Sequence, residues 1–233
     1  METGQNQLAQ RLLPLADKPA GCLLIHEIYR SLQGESTFAG LPCVFVRLAV
    51  CDARCSWCDT PHAFTQGIVL TLDEITRKVA DYKAPLVEIT GGEPLVQAEV
   101  FPLMTQLADR GLTVLLETSG AHDIAAVDRR VHIIMDLKCP DSGESEKNRY
   151  KNLDILKSTD QIKLVIASRR DFDWAAAIIR QHRLDECFTV LLSPAFGLVT
   201  PLQLARWLLE SGLQVRMQLQ VHKYIWDPKA RGV

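Results

Sequence analysis

Short apolar runs alternate with amphipathic segments along most of the chain. The apolar runs predict strands over residues 44–50, 86–90, 112–117, 131–136, 161–167, 188–192 and 213–219. The amphipathic segments predict helices over residues 72–82, 96–110, 171–182 and 201–211. Strands that alternate with helices of this length are typical of parallel βαβ units.

The number of strands and the length of the chain narrow the choice of architecture. A closed (β/α)8 barrel has eight strands and about 250 residues. The 233 residues here carry seven predicted strands. We therefore expect an α/β fold with an incomplete, open barrel. The polar loop over residues 140–148 is predicted to be a solvated excursion from that barrel.

Three polar motifs follow three of the predicted strands. They are Gly91-Gly92-Glu93-Pro94, Glu117-Thr118-Ser119 and Asp136-Leu137-Lys138. In parallel sheets the chemistry collects at the carboxyl ends of the strands, where these motifs stand. The sequence therefore predicts a functional site at that edge of the sheet.

The charge balance bears on the class of partner. Lys and Arg number 26 against 28 Asp and Glu, and a net charge of −2 argues against a protein that neutralises many nucleic-acid phosphates. No apolar run approaches the roughly 18 residues of a membrane-spanning helix. The first 19 residues lack the continuous apolar stretch of a secretory signal, so we expect a cytoplasmic protein without nucleic-acid or membrane partners.

Three of the seven cysteines stand close together in the segment Cys51-Asp-Ala-Arg-Cys55-Ser-Trp-Cys58. Three thiolates on one loop can hold three irons of a [4Fe–4S] cluster and leave the fourth iron open to a small molecule. The spacing also allows a structural zinc ion with His62 as fourth ligand, or plain thiols. Cys43 and Cys187, in apolar surroundings, are predicted to be ordinary buried thiols.

The C-x3-C-x-aromatic-C segment, followed after the next strand by Gly91-Gly92-Glu93-Pro94, resembles the radical S-adenosylmethionine superfamily. The resemblance implies a partial (β/α)6-type TIM barrel, a [4Fe–4S] cluster on the three cysteines, and S-adenosylmethionine bound to the open iron. One electron from the cluster would cleave the sulfonium and release a 5′-deoxyadenosyl radical. The residues that the resemblance assigns to S-adenosylmethionine are Trp57, Cys58, Asp59, Gly92, Glu117, Ser119, Asp136, Leu137 and Lys138.

A narrower resemblance rests on the N-terminal and C-terminal motifs. Ile28-Tyr-Arg-Ser-Leu-Gln-Gly-Glu-Ser36, Gly40-Leu-Pro42, Phe45-Val-Arg-Leu48, Asp59-Thr60 and Gln218-Leu-Gln-Val-His-Lys-Tyr224 are similar to those of the 7-carboxy-7-deazaguanine synthases. These carbon–nitrogen lyases convert 6-carboxy-5,6,7,8-tetrahydropterin to 7-carboxy-7-deazaguanine and ammonia, on the route to queuosine. The resemblance covers about residues 25–224, which leaves residues 1–20 as an N-terminal extension of a single domain over residues 21–233.

The same resemblance implies Mg²⁺, a homodimer and an electron donor such as flavodoxin or ferredoxin. It assigns Thr60 to the magnesium ion, and it assigns to the pterin the residues Leu32, Gln33, Gly34, Glu35, Arg47, Thr90 and His222. Arg47 offers a planar fork to the substrate carboxylate.

Several alternatives stay open at this stage. Arg47 shares a strand face with Phe45 and can be an outward-facing residue, His222 can make a structural hydrogen bond, and Thr60 can bond a loop backbone group. The function can also be that of a glycyl-radical activating enzyme, or of a zinc-stabilised binding module without turnover.

Overall fold

A computed structural model of the chain describes residues 2–233, with side chains from residue 6 onward. Its strands form one nine-stranded sheet in the order β3-β1-β2-β4-β5-β6-β7-β8-β9. The strands are β1 (Cys22–Leu32), β2 (Pro42–Leu48), β3 (Ile68–Thr71), β4 (Leu86–Gly91), β5 (Thr113–Thr118), β6 (His132–Asp136), β7 (Gln161–Ile166), β8 (Thr189–Pro194) and β9 (Arg216–Met217). The helices are α1 (Glu2–Leu12), α2 (Leu72–Asp81), α3 (Val100–Asp109), α4 (Arg169–His182), α5 (Leu184–Cys187), α6 (Pro201–Ser211) and α7 (His222–Ile225).

The predicted α/β architecture is confirmed: the sheet is open and mostly parallel, as in a partial barrel. β2 and β4 to β9 run parallel, and only β1 and β3 are antiparallel additions at one edge. The outer face of the sheet carries the apolar residues that pack against α2, α3, α4 and α6. The inner face carries a smaller apolar group, which is formed by Cys43, Phe45, Leu86, Leu115 and Ile134.

β1 is a long strand that the hydrophobic pattern did not predict. It pairs with β2 and β3, and its register shifts between Ile25 and Glu27. Ile25 and Ile28 both pack into the outer core although they are three residues apart. An extra residue in the strand therefore breaks the alternation of side chains that would have revealed it.

The predicted helix over residues 96–110 is wrong at its start. A short 3-10 turn covers Pro94–Val96, and α3 begins only at Val100. Between them the buried Gln97 has an extended backbone, and its amide bonds the Leu24 N–H at 2.8 Å and the Leu24 and Ala49 carbonyls at 3.0 Å. These tertiary contacts replace a helical turn at Gln97.

The predicted last strand over residues 213–219 is shorter in the structure. β9 spans only Arg216–Met217, because it is an edge strand that finds pairing partners in β8 at Leu191 and Leu192 alone. No helix in residues 2–233 combines the length and the apolar character that crossing a membrane requires.

The N-terminal extension packs against the carboxyl end of β2 and the neighbouring part of β1. After α1, a 3-10 turn covers Leu13–Leu15, and Leu12 and Leu15 pack against Leu24 and Val50. The Arg11 guanidinium donates a hydrogen bond of 2.6 Å to the carbonyl of Asp52, inside the cysteine segment. The extension therefore contacts the loop that carries the three clustered cysteines.

Candidate active site

The three clustered cysteines lie on the loop that follows β2, and their thiols are free and half-buried. Among residues with described side chains, the one group of three His, Cys, Asp or Glu ligand atoms within 4.8 Å of one another contains none of these cysteines. A tetrahedral zinc ion with Zn–S bonds of about 2.3 Å would hold its sulfur ligands about 3.8 Å apart. At least one pair of the three sulfurs is therefore more than 4.8 Å apart, which fits a cubane cluster, in which each thiolate binds a different iron.

The start of this loop is clamped between two neighbouring segments. The Val50 N–H donates to the Ala63 carbonyl at 2.8 Å, and the Val50 carbonyl accepts from the Glu93 N–H at 2.9 Å. Val50 has φ of 77°, which is rare for a β-branched residue and marks stored strain. A Cβ at Gly92 would lie 2.0 Å from the Val50 carbonyl oxygen, so this close approach requires glycine.

Glu93 joins the cysteine loop to the end of β5. It is buried, and its carboxylate accepts from the Thr118 hydroxyl at 2.8 Å, the Ser119 N–H at 2.8 Å and the Leu95 N–H at 3.1 Å. Glu93 was predicted only as part of a motif, without a role of its own. Its carboxylate holds Ser119 beside the cysteine loop.

The loop over residues 140–148 is not the solvated excursion that its composition suggested. Ser142 and Glu144 are buried. Ser56 donates its N–H to the Ser142 carbonyl at 3.0 Å, and the Arg54 N–H donates to Glu144 Oε1 at 2.7 Å. Ser142 and Glu144 therefore satisfy backbone groups of the cysteine loop, while Glu146 and Lys147 face water.

A small cavity lies beside the cysteine loop, with Ala53, Ser119, Lys138 and Asn148 in its lining. Lys138 Nζ lies 2.7 Å from Asp136 Oδ2 and 5.3 Å from the centre of the Trp57 ring. Trp57 Nε1 and Asp136 Oδ1 are buried and have no partner in the described structure. Unpaired buried polar atoms near Lys138, a residue of the cavity lining, fit a bound polar molecule such as S-adenosylmethionine.

Three other residues predicted to bind S-adenosylmethionine are placed differently. The Leu137 side chain is buried in the outer core, so only its backbone is available to a ligand. Asp59 pairs at 2.7 Å with Lys223, and Glu117 reaches away from the cavity to Lys163 and Thr90.

Lys163 is the centre of a charged group on the inner face. Its ammonium pairs with Glu117, lies 3.0 Å from Glu35 Oε2, and is 4.0 Å from Asp136 Oδ2. Burial lowers the pKa of Lys163, but the surrounding carboxylates outweigh it and hold that pKa well above its usual range. Lys163 was not predicted as a site residue, although it interrupts an apolar strand just as Arg47 does.

Three predicted substrate residues belong to this charged group or bond to the acidic residues around it: Gln33, Glu35 and Thr90. Gln33 Nε2 donates to the buried Glu88, and Thr90 Oγ1 donates to Glu117 Oε2 at 3.2 Å. Burial, with the charges of Glu117 and Glu35, raises the pKa of Glu88 well above its usual range. Glu88 is a further site residue that the sequence analysis missed.

The C-terminal segment closes the open side of the barrel over Gly34. The amides of Gln218 and Gln220 donate to Glu35 at 3.2 and 2.9 Å, and the Val221 N–H donates to the Gly34 carbonyl at 3.0 Å. A Cβ at Gly34 would lie 2.1 Å from His222 Nδ1, so the imidazole packs directly on the glycine backbone. His222 thus reaches the predicted substrate segment from α7.

Arg47 lies on the inner face of the sheet, in register with Thr90. Its Nε donates to Glu27 Oε1 at 2.8 Å and its Nη2 to the Tyr29 hydroxyl at 3.2 Å. The outward-facing alternative is therefore wrong: Phe45 and Arg47 do share a face, but that face is the inner one.

The remaining predicted residues are Leu32, Thr60 and the two isolated cysteines. Leu32 pairs with Pro42 at the end of β1, and Thr60 Oγ1 lies 3.7 Å from Cys58 Sγ. Cys43 is buried as predicted, but Cys187 is exposed at the end of α5, because Leu184 at the start of this helix takes the buried position.

Comparisons with known proteins agree with this geometry. The model of the radical SAM superfamily matches residues 46–141. A 7-carboxy-7-deazaguanine synthase from Chlorobaculum tepidum is 47% identical over 91% of this chain and 97% of its own length. One from Koribacter versatilis is 48% identical over 90% of this chain and 99% of its own.

Among solved structures, QueE from Escherichia coli superimposes with a TM-score of 0.71 at 23% identity, over 86% of this chain and 95% of its own, a likeness of fold. The sequence relatives cover nearly the whole chain, which sets aside a glycyl-radical activating enzyme and a zinc-stabilised module. The chain therefore belongs to the 7-carboxy-7-deazaguanine synthase family of radical S-adenosylmethionine enzymes.

Proposed function

We propose that this chain itself converts 6-carboxy-5,6,7,8-tetrahydropterin to 7-carboxy-7-deazaguanine with loss of ammonia. The observation that carries the proposal is the inner face of the sheet, where Arg47, four residues before Cys51, lies on β2 beside β4, the strand that carries Glu88 of the buried Gln33–Glu88 pair. An anionic heterocycle with an amide edge matches this combination of a cation and paired hydrogen-bonding groups.

The pterin ring would bind through its amino-pyrimidinone edge. Gln33 offers an amide and Glu88 a carboxyl group whose raised pKa favours the protonated form, which can both donate and accept. Glu35, fixed by Lys163, Gln218 and Gln220, offers carboxylate oxygens to ring N–H groups. Leu32 and Gly34 would contribute backbone groups, and His222 would cover the ring.

The substrate carboxylate would bind Arg47 and a magnesium ion. Glu27 and Tyr29 hold two of the Arg47 nitrogens and leave Nη1 for the ligand. Mg²⁺ prefers oxygen ligands in octahedral geometry and keeps several waters. The Thr60 hydroxyl, carboxylate oxygens and waters would satisfy it without an acidic cage, and the ion would orient the carbon that loses hydrogen.

The cofactors would occupy the neighbouring part of the same edge. Cys51, Cys55 and Cys58 would hold the cluster, Lys138 the methionine carboxylate, and Trp57, Gly92 and Ser119 the remainder of S-adenosylmethionine. When bound, the cluster and S-adenosylmethionine supply the radical that removes hydrogen from the pterin. The residues of the inner face hold the pterin so that this carbon faces the cysteine loop.

Further parts of the proposal concern partners and location. An electron donor such as flavodoxin or ferredoxin would reduce the cluster, and the chain would act as a homodimer. All seven cysteines are free thiols, which suits the reducing cytoplasm.

The test is anaerobic reconstitution with iron and sulfide, followed by incubation with S-adenosylmethionine, a reductant and carboxytetrahydropterin. The expected result is the deazapurine product with an equal amount of ammonia. Cys55→Ala should lose both iron and turnover, while Cys22→Ala and Cys187→Ala should keep them. A brown, cluster-loaded protein that binds the pterin but releases no ammonia would overturn the proposed reaction.

A further inference from the structure

A second cluster of metal-binding side chains lies outside the cysteine loop. His26 and Glu27 are on β1, and His62 is in the 3-10 turn Pro61–Phe64 that follows the cysteine loop. Each of the three offers a ligand atom, and these atoms all lie within 4.8 Å of one another. All three residues are half-buried, so an ion can reach them from solvent.

The irregular pairing of β1 brings the first two of these residues to one side. In a regular strand, neighbouring side chains point to opposite faces. The register shift falls between Ile25 and Glu27, and Ile25 and Ile28 both pack into the outer core. His26 and Glu27 are thereby left together on the other side, where His62 approaches with its ring centre 5.0 Å from that of His26.

The His26 ring is already oriented as in a metal ligand. Its Nδ1 lies 2.8 Å from the Gln66 carbonyl oxygen. A carbonyl can only accept, so Nδ1 carries a proton, and in the neutral ring Nε2 is the nitrogen that offers a lone pair to an ion. Histidine ligands in metal sites are commonly fixed by such a bond from the second ring nitrogen.

Glu27 is held in the same manner. Arg47 Nε donates to its Oε1 at 2.8 Å, which orients the carboxylate and leaves Oε2 for an ion. Two imidazoles and one carboxylate are the ligand set of zinc and similar divalent transition metals, and three protein ligands leave a position open to water. Magnesium, by contrast, favours oxygen ligands throughout.

We propose that His26, Glu27 and His62 form a binding site for a divalent ion of the zinc type, distinct from the cysteine loop and from Thr60. The ion would tie the turn after the cysteine loop to β1. Thr60 precedes His62 by two residues, so the same ion would restrain the segment that carries Thr60. The site goes beyond the proposed reaction and does not depend on it.

The test is zinc binding to the cluster-loaded protein under anaerobic conditions, so that iron already occupies the three cysteines. Bound zinc is counted by elemental analysis, and its ligands are identified by X-ray absorption at the zinc edge. The expected result is one zinc per chain with nitrogen and oxygen ligands at about 2.0–2.1 Å and no sulfur at about 2.3 Å. His26→Gln and His62→Gln should each weaken zinc binding at least tenfold.

His182→Gln is the matched control, because His182 stacks on Tyr150 at the end of α4 and belongs to no such group. It should bind zinc as the wild type does. Iron content and thermal stability without zinc, measured for all three variants, show that each is folded. Zinc held by sulfur, or zinc affinity equal in the wild type and in both His26→Gln and His62→Gln, would overturn the proposal.

Discussion

The side-chain amide of Asn148 forms hydrogen bonds with both backbone groups of Lys138. Its Oδ1 accepts the Lys138 N–H at 2.9 Å and its Nδ2 donates to the Lys138 carbonyl at 2.9 Å. The loop over residues 140–148 therefore does more than cover the cysteines. It fixes the position of the lysine that we assign to the carboxylate of S-adenosylmethionine.

Asn148→Ala should weaken the binding of S-adenosylmethionine. The loss of two backbone hydrogen bonds should lower the free energy of unfolding by about 1–3 kcal/mol. Displacement of Lys138 should weaken S-adenosylmethionine binding about tenfold, which corresponds to 1.4 kcal/mol. Both quantities can be measured on the cluster-loaded protein, by denaturant titration and by calorimetry.

Asp160→Ala is the control for that variant. Asp160 also accepts two backbone hydrogen bonds, from Ile133 at 2.9 Å and Lys157 at 2.8 Å, but it precedes β7 at the opposite end of the sheet. It should lose stability and keep its affinity for S-adenosylmethionine. Equal losses of affinity in the two variants would mean that Asn148 acts only through general stability.

Arg47→Lys should weaken pterin binding and leave S-adenosylmethionine binding almost unchanged. A lysine keeps the charge but cannot hold Glu27, Tyr29 and a carboxylate with one planar group. Hydrogen bonds to charged groups contribute about 1.5–3 kcal/mol, so we expect a loss of about ten- to a hundredfold in pterin affinity. Arg130→Lys, in a surface ion pair with Asp128, should change neither affinity. A parallel loss of both affinities in Arg47→Lys would show that Arg47 supports the fold rather than the substrate.

Removal of magnesium should slow turnover by the wild type far more than it slows turnover by the Thr60→Ala variant. If the Thr60 hydroxyl is a ligand, its loss should raise the magnesium concentration needed for half-maximal turnover, because fewer ligands hold the ion. Turnover of fully reconstituted protein over a series of magnesium concentrations measures this. Thr65→Ala, at the other end of the 3-10 turn, should follow the wild type. Identical magnesium curves for wild type and Thr60→Ala would exclude Thr60 as a ligand.

The buried Glu88 should make the stability of the wild type fall as pH rises. Its pKa is raised in the folded protein, chiefly by burial, so the folded state keeps a proton that the unfolded chain releases above about pH 4.3. The wild type therefore loses up to about 1.4 kcal/mol per pH unit relative to Glu88→Gln, from that pH until the folded group titrates. Thermal or urea unfolding of both proteins across this range measures the difference.

The stability difference between the wild type and Glu74→Gln should change with pH in the opposite direction. Hydrogen bonds from Thr71 hold the pKa of Glu74 below its usual range, so the wild type gains stability over that variant as pH rises. If the stability of the wild type relative to Glu88→Gln and relative to Glu74→Gln changes in the same direction as pH rises, the environment that we assign to Glu88 is wrong.

Much of the sheet and the cysteine loop could be predicted, because β4 to β8 are buried on both faces and appear as continuous apolar runs. β1 could not, since the extra residue at its register shift hides the alternation that a strand normally shows. The start of α3 was predicted too early for a similar reason. The side chain of Gln97 bonds residues that are more than 40 positions away, and a local sequence pattern contains no information about such contacts.

The site was harder to predict where charges meet across strands. Arg47 and Lys163 carry the same signal, a cation within an apolar strand, yet only Arg47 was chosen because a motif surrounded it. Glu117 was assigned to S-adenosylmethionine from its place at a strand end, but Lys163 on the second strand along draws it to the inner face. Such pairings become visible only with the strand order.

The packing of the C-terminal segment over Gly34 and Glu35 has a consequence for the order in which the protein folds during synthesis. Glu35 and Gln220, which bond at 2.9 Å, are 185 residues apart. A ribosome releases the N-terminal part first, so the segment from Cys51 to Cys58 can meet its hydrogen-bonding partners once residue 147 has emerged. The residues around Glu35, by contrast, must wait until Gln220 has emerged. During synthesis the chain therefore becomes able to receive iron well before it becomes able to hold a pterin.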